Sequence, residues 1–183
     1  MRLFVASSFG PAFVDGIRAV ASYARDNAGR DSVKWVDPAQ FHVTYAFLGE
    51  LPGPGPAVKG MDSAPEGAQA FDVSLGGFGV FPSSRHPSVL WMGVGEGAGG
   101  LRELARRLAE GLTAAGLAFE SRFEPHVTIG RVKGRLPENF VRRVSDYALG
   151  RKAVSRLTSV ELMESRLTRE GAQYRTVHSK TLL

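Results

Sequence analysis

Two short strings constrain this chain more than any other feature: FHVTYAFLGE at residues 41–50 and PHVTIGR at residues 125–131. Both alternate apolar with polar side chains and are rich in β-branched and aromatic residues, the pattern of a half-buried strand. In a strand, residues i and i+2 point the same way. The first string therefore predicts one face carrying Phe41, Val43, Tyr45 and Phe47, and another carrying His42, Thr44 and Ala46. The second predicts Val127 and Ile129 opposite His126 and Thr128. Each strand packs apolar groups on one side and presents an imidazole and a hydroxyl together on the other. The chain has only four histidines, and two of them occupy this setting almost half of the 183-residue length apart.

The rest of the sequence supports a repeated α+β plan. Leu3–Ser7 predicts a strand, Gly10-Pro11 a break, and the spacing of Phe13, Val14, Ile17, Val20, Ala21 and Ala24 a helix of about four turns. Val33–Val36 and Phe41–Leu48 predict strands, with Asp37-Pro38 as a turn between them. The Gly/Pro-dense stretch from Gly49 to Gly67 leaves room for a short helix only. Phe71–Phe81 and Val89–Val94 predict two strands, and the stripe Leu101, Leu104, Leu108 and Leu112 a second long helix. Phe119–Phe123 and His126–Val132 follow as strands, Pro137 starts a helix carrying Phe140, Val144 and Tyr147, and strands around Val154–Met163 and Tyr174–Leu183 close the chain. No Pro/Ser-rich linker divides it. A single unit over 1–183 is expected, with half-repeats of about 1–85 and 86–183.

Composition excludes several classes. Cysteine is absent, so neither disulfides nor thiolate metal sites hold the fold, which fits a reducing compartment. The N-terminal stretch lacks the h-region of a signal peptide and the ~20 apolar residues of a membrane span, so a soluble cytoplasmic protein is expected. A net charge of +5 favours anionic partners such as phosphates or nucleic acid.

An imidazole gives or takes a proton near neutral pH, and a hydroxyl donates a hydrogen bond to an anionic oxygen. Two such pairs facing one another supply a base, an acid and two phosphate donors, the set that phosphodiester hydrolysis needs. A metal site is the competing use of two histidines, and it wants a third ligand. Glu50 and Glu124 lie near, but neither shares the His/Thr parity in an unbroken strand, so no metal or other cofactor is expected.

These strings, together with MRLFVA, WVDPAQFHVTYAFLGE, LGGFGVFPSSRHPSVLWMGV, FEPHVTIGRV and LMESRLTREGAQYRTV, resemble the RNA 2′,3′-cyclic phosphodiesterase (2′-5′ RNA ligase) family of the 2H phosphoesterase superfamily. The resemblance implies a bilobal α+β fold with pseudo-twofold duplication: two antiparallel sheets face a central groove, with helices packed on their outer faces. It implies catalytic roles for His42, Thr44, His126 and Thr128, the imidazoles as base and acid and the threonines on the phosphate. The implied reaction opens a 2′,3′-cyclic phosphate on an RNA end or nucleotide to a 2′-phosphomonoester without a metal. Joining or cleaving 2′-5′ linkages is the alternative main activity, and a non-catalytic RNA-binding module is the reading from a different class. His126 is chosen as the base and His42 as the acid, although the pseudo-symmetry makes those roles exchangeable. The protein is expected to act as a monomer.

Arg131 matches a basic position of the family and is a candidate phosphate contact. In a regular strand it shares the face of Val127 and Ile129, so it reaches the groove only at a strand end or bulge; otherwise it is a solvated arginine. Ala46 stands where the family often carries a cation, and on the His42 face it would leave a gap. His86 and His178 are expected to be a loop and a structural histidine. Trp35 and Phe81 are expected to pack in the core, with base stacking the minority use. Basic pairs such as Arg106/Arg107 are expected on solvated helix faces.

Overall fold

The computed structural model describes residues 1–64, 67–120, 122–169 and 171–183. Strand β1 (Arg2–Ser8) is buried through its five central residues, as its unbroken apolar run requires. Helix α1 (Pro11–Asn27) begins at a proline, whose missing N–H costs nothing in a first turn, and buries Phe13, Ile17, Val20, Ala21 and Ala24 along one stripe. Strand β2 (Val33–Trp35) leads into a 3-10 turn, Pro38–Gln40, where the Asp37 carboxylate accepts the Ala39 N–H at 2.9 Å. Then come β3 (His42–Glu50), α2 (Gly55–Ser63), β4 (Phe71–Pro82), β5 (Pro87–Val94), α3 (Ala98–Ala114) and β6 (His126–Val132). Helix α4 (Phe140–Leu149) and strands β7 (Val154–Leu157), β8 (Ser159–Thr168) and β9 (Gly171–Thr181) complete the chain.

The strands form one antiparallel path, β7-β4-β5-β6-β3-β1-β8-β9, with β2 on β6. Its two lobes meet where β3 and β6 pair at one bridge, Val43 with Val127. Helices α1 and α4 cover the apolar side of the β4–β6 lobe, and α2 and α3 that of the β1–β3 lobe. The strand order is palindromic in kind: β4-β5-β6 mirrors β8-β1-β3. Each lobe therefore takes its third strand from the other half of the sequence, β4 going to β5 and β8 to β1. Hydrophobic periodicity carries no information about that exchange.

Three expectations are corrected. Residues 119, 120, 122 and 123 are not a strand; Phe123 instead packs its ring 5.5 Å from Tyr45, and position 121 lies outside the described residues. Helix α4 starts at Phe140, because residues 137–139 form the turn that delivers it. The stretch 154–163 divides at Thr158 into two strands in different lobes. The short helix expected in the Gly/Pro-dense segment is α2, and residues 65 and 66 of that segment lie outside the described ones. Gly60 has a packing reason: a Cβ there would lie 2.8 Å from the Leu112 Cα, so glycine lets α2 and α3 meet backbone to backbone. Among the described residues no helix is long and apolar enough to cross a membrane.

Candidate active site

The Val43–Val127 bridge brings the two His-x-Thr strings together. Residues directly opposite in an antiparallel pair share a face, and both valines are fully buried against the helices. His42 and Thr44 therefore project from the other face, alongside Thr128 and His126. Because the strands run in opposite directions, His42 stands beside Thr128, and Thr44 beside His126. His126 lies near enough to contribute to the lowering of the His42 pKa.

Each imidazole is held by the same contact. His42 Nδ1–H donates to the Gln40 carbonyl at 2.7 Å, and His126 Nδ1–H donates to the Glu124 carbonyl at 2.7 Å. A carbonyl can only accept, so both neutral rings carry the proton on Nδ1 and turn Nε2 toward the groove. The residues supplying those carbonyls are themselves tethered. Gln40 Nε2 donates to the Ala172 carbonyl of β9 at 2.8 Å, and the Glu124 carboxylate accepts from Arg102 of α3 at 2.8 Å.

Aromatic walls flank both rings. Tyr174 stands edge-on to His42 at 5.3 Å, with Phe4 at 5.2 Å. Phe81 stands edge-on to His126 at 5.2 Å, and Trp91 lies 6.1 Å from it. Burial under Phe4 and Tyr174 pushes the His42 pKa below 6.5; the Gln40 carbonyl opposes this, and His126 adds to it. Trp91 lies flat over Gly79, where a Cβ would come within 2.1 Å of its ring. Its indole N–H has no partner among the described residues, so packing alone fixes the ring.

Strand parity holds as far as the threonines and then fails on both strands for one reason. β1 pairs Ala6 with Thr44 and Val5 with Ala46, skipping Tyr45; β5 pairs Trp91 with Thr128 and Leu90 with Gly130, skipping Ile129. These matched bulges invert the alternation beyond them. Ala46 is consequently a core residue, 3% exposed, and leaves no gap beside His42. Phe47, expected in the core, is 66% exposed on the groove face. The bulge at Ile129 likewise turns Arg131 to the groove face, opposite Lys34 of β2.

Phe81, expected to be core, is part of the site wall. Trp35 is half-buried with the Arg25 guanidinium 5.6 Å from its ring. His178 takes its expected structural place, 2.8 Å from Asp62, and His86 is an exposed turn residue. Arg106 and Arg107 pair with Glu103 along α3. The sequence pattern gave no sign of Phe4, Trp91 and Tyr174 as parts of the site. Glu161 lies on the groove face in the row of Ala6 and Thr44, two strands or roughly 10 Å from β3. Burial pushes its carboxyl above the usual carboxylate range, against hydrogen bonds from the Ser159 hydroxyl and the Ser8 N–H. Among the described residues no three His, Cys, Asp or Glu side chains cluster as a metal site.

A family model, the 2′-5′ RNA ligase superfamily, matches residues 10–168. The chain belongs to that superfamily. Among its relatives, an RNA 2′,3′-cyclic phosphodiesterase of Aeropyrum pernix is 37% identical over 161 residues, covering 84% of this chain and 90% of that one. One from Archaeoglobus fulgidus is 33% identical over 178 residues, covering 96% and 97%. Solved structures of the same fold include a Thermus thermophilus protein (TM-score 0.73, 25% identity, covering 100% of this chain and 98% of that one). Another is E. coli LigT complexed with 3′-AMP (TM-score 0.73, 21% identity, covering 99% and 97%). The superfamily fold thus accounts for the whole chain, and the bilobal α+β expectation holds.

Proposed function

We propose that the chain hydrolyses a 2′,3′-cyclic phosphate at an RNA end to a 2′-phosphomonoester. The observation that carries this is the Val43–Val127 bridge, which puts two Nε2 atoms and two hydroxyls on one face of the groove. His126 takes a proton from water as its oxygen attacks phosphorus. The P–O3′ bond breaks, and His42 donates its proton to the departing 3′ oxygen. Thr44 and Thr128 hydroxyls donate to the non-bridging oxygens. The two imidazoles end with exchanged protonation states, which solvent resets.

This assignment requires a protonated His42, whose pKa burial lowers in the free protein. The anionic phosphate entering beside it opposes that lowering. No step needs a metal. The 2′-5′ ligase description of the superfamily supports a second reading of the same site, in which an RNA hydroxyl replaces water as the nucleophile on the cyclic phosphate, the P–O3′ bond breaks and a 2′-5′ linkage forms; cleavage of that linkage is the reverse. A binding module would have no use for two identically held imidazoles. We read the chain as one bilobal domain acting as a monomer, and the cysteine-free sequence fits a cytoplasmic setting. The test is turnover of a 2′,3′-cyclic nucleotide with and without chelator. The expected result is undiminished activity and a 2′-phosphate product; loss with chelator, or a 3′-phosphate, overturns the proposal.

A further inference from the structure

The centre of the groove is symmetric, but its two ends are not. Adding 84 to a position in β3 gives its counterpart in β6, as His42 gives His126, and the flanking counterparts differ in charge. Beyond Thr128, at the His42 end, stand Gln40, Arg131 and Lys133. The equivalent positions at the His126 end are Glu124, Phe47 and Gly49. Lys34, opposite Arg131, adds a further cation to the first end. None of Lys34, Arg131 and Lys133 forms an ion pair with a described residue. At the other end Glu124 is held by Arg102, and Glu50 lies 3.4 Å from the N-terminal ammonium.

The basic end is also shaped. A groove of about 620 Å³ runs between Lys34, Arg131 and Lys133 on one wall and Gly171, Gln173 and Tyr174 of β9 on the other. Tyr174 is the ring edge-on to His42, so this groove opens directly from the catalytic face. Among the described residues that line it, Asp37 is the one acid, and its carboxylate is engaged by the Ala39 N–H. From Thr128 to Arg131 the paired strand β5 advances two residues, Trp91 to Val89, roughly 7 Å. That is close to the separation of neighbouring phosphates along an extended single strand.

We propose that the RNA strand upstream of the cyclic phosphate leaves over the His42 end, with its phosphates on Lys34 and Lys133 beside Arg131. This rests on the cyclic-phosphate reading above and narrows its substrate to an oligonucleotide end. The physics is counterion release along a cationic track, with Tyr174 available to a base. A free mononucleotide carries no upstream phosphate and ignores the track.

The test compares a 2′,3′-cyclic mononucleotide with a single-stranded oligonucleotide ending in the same group, in wild type and in Lys34→Ala/Lys133→Ala. Two neutralised phosphates give a log–log salt slope of about −1.4, so a fourfold rise in salt costs roughly sevenfold in wild-type kcat/KM on the oligonucleotide. The double variant is expected to lose that slope while keeping the mononucleotide rate, which also certifies its fold. Equal losses on both substrates would place the lysines on the reacting phosphate and overturn the proposal. So would an oligonucleotide loss in Phe47→Ala with none in the lysine variant, which would send the strand out of the opposite end. Anisotropy binding of the labelled oligonucleotide gives the same comparison without turnover. A wild type that binds through the lysines but hydrolyses neither substrate would sink the hydrolase reading and leave the track standing.

Discussion

Gly79→Ala should damage the His126 side of the site without touching a polar group. A Cβ at Gly79 would sit 2.1 Å from the Trp91 ring, and ordinary contact begins near 3.4 Å, so the ring must retreat by about 1.3 Å. Trp91 lies 5.0 Å from Phe81, and Phe81 stands edge-on to His126, so the retreat disturbs the wall that orients that imidazole. Overpacking of this kind costs about 1–3 kcal/mol of stability. A misplacement near 1 Å at a reacting group costs up to about 10²-fold in rate. We expect kcat on a 2′,3′-cyclic nucleotide to fall by about 10- to 100-fold, with a lowered Tm. Gly77→Ala is the control, because nothing lies within 4 Å of a Cβ there. Wild-type kcat and Tm in Gly79→Ala, or equal effects at both glycines, would refute the reasoning that the Trp91–Phe81 wall positions His126.

Tyr174→Ala should expose His42 and move its pKa up toward 6.5, since burial is the largest cause of its lowering. In the pH profile of kcat/KM, the limb belonging to His42 should shift to higher pH, and an unmoved profile would contradict the burial argument. Thr44→Val and Thr128→Val keep side-chain shape while removing a donor, and each should cost about 10- to 100-fold in kcat/KM, with Tm nearly unchanged. Retention of full activity in both would remove the threonines from the phosphate.

How far the site could be read from sequence depends on how local its causes are. Period-two alternation correctly placed His42 with Thr44 and His126 with Thr128, because only two residues of regular strand separate each pair. It misplaced Ala46 and Phe47, and left Arg131 undecided, because a bulge is set by the register of the neighbouring strand. Tyr45 and Ile129, the skipped residues, are ordinary strand formers that carry no bulge signature of their own. The aromatic walls were invisible for a related reason: Phe4 and Tyr174 reach His42 from opposite ends of the chain. Gly79 beside a bulky aromatic partner was the one available signal, since a strand glycine often marks a close approach. The helices were the easiest to read, α1 and α3 from their apolar stripes, whereas the exchange of β4 and β8 between lobes left no trace in local pattern.

The central claim is that two imidazoles, one from each His-x-Thr string, share one reaction. Single-turnover hydrolysis of a 2′,3′-cyclic nucleotide by His42→Ala, His126→Ala and the double variant tests it most directly. Groups acting as one unit are strongly non-additive, so each single variant should lose at least about 10²-fold, and the double variant little more than the worse single. Intact turnover in either single variant, or losses that simply multiply, would contradict a shared site.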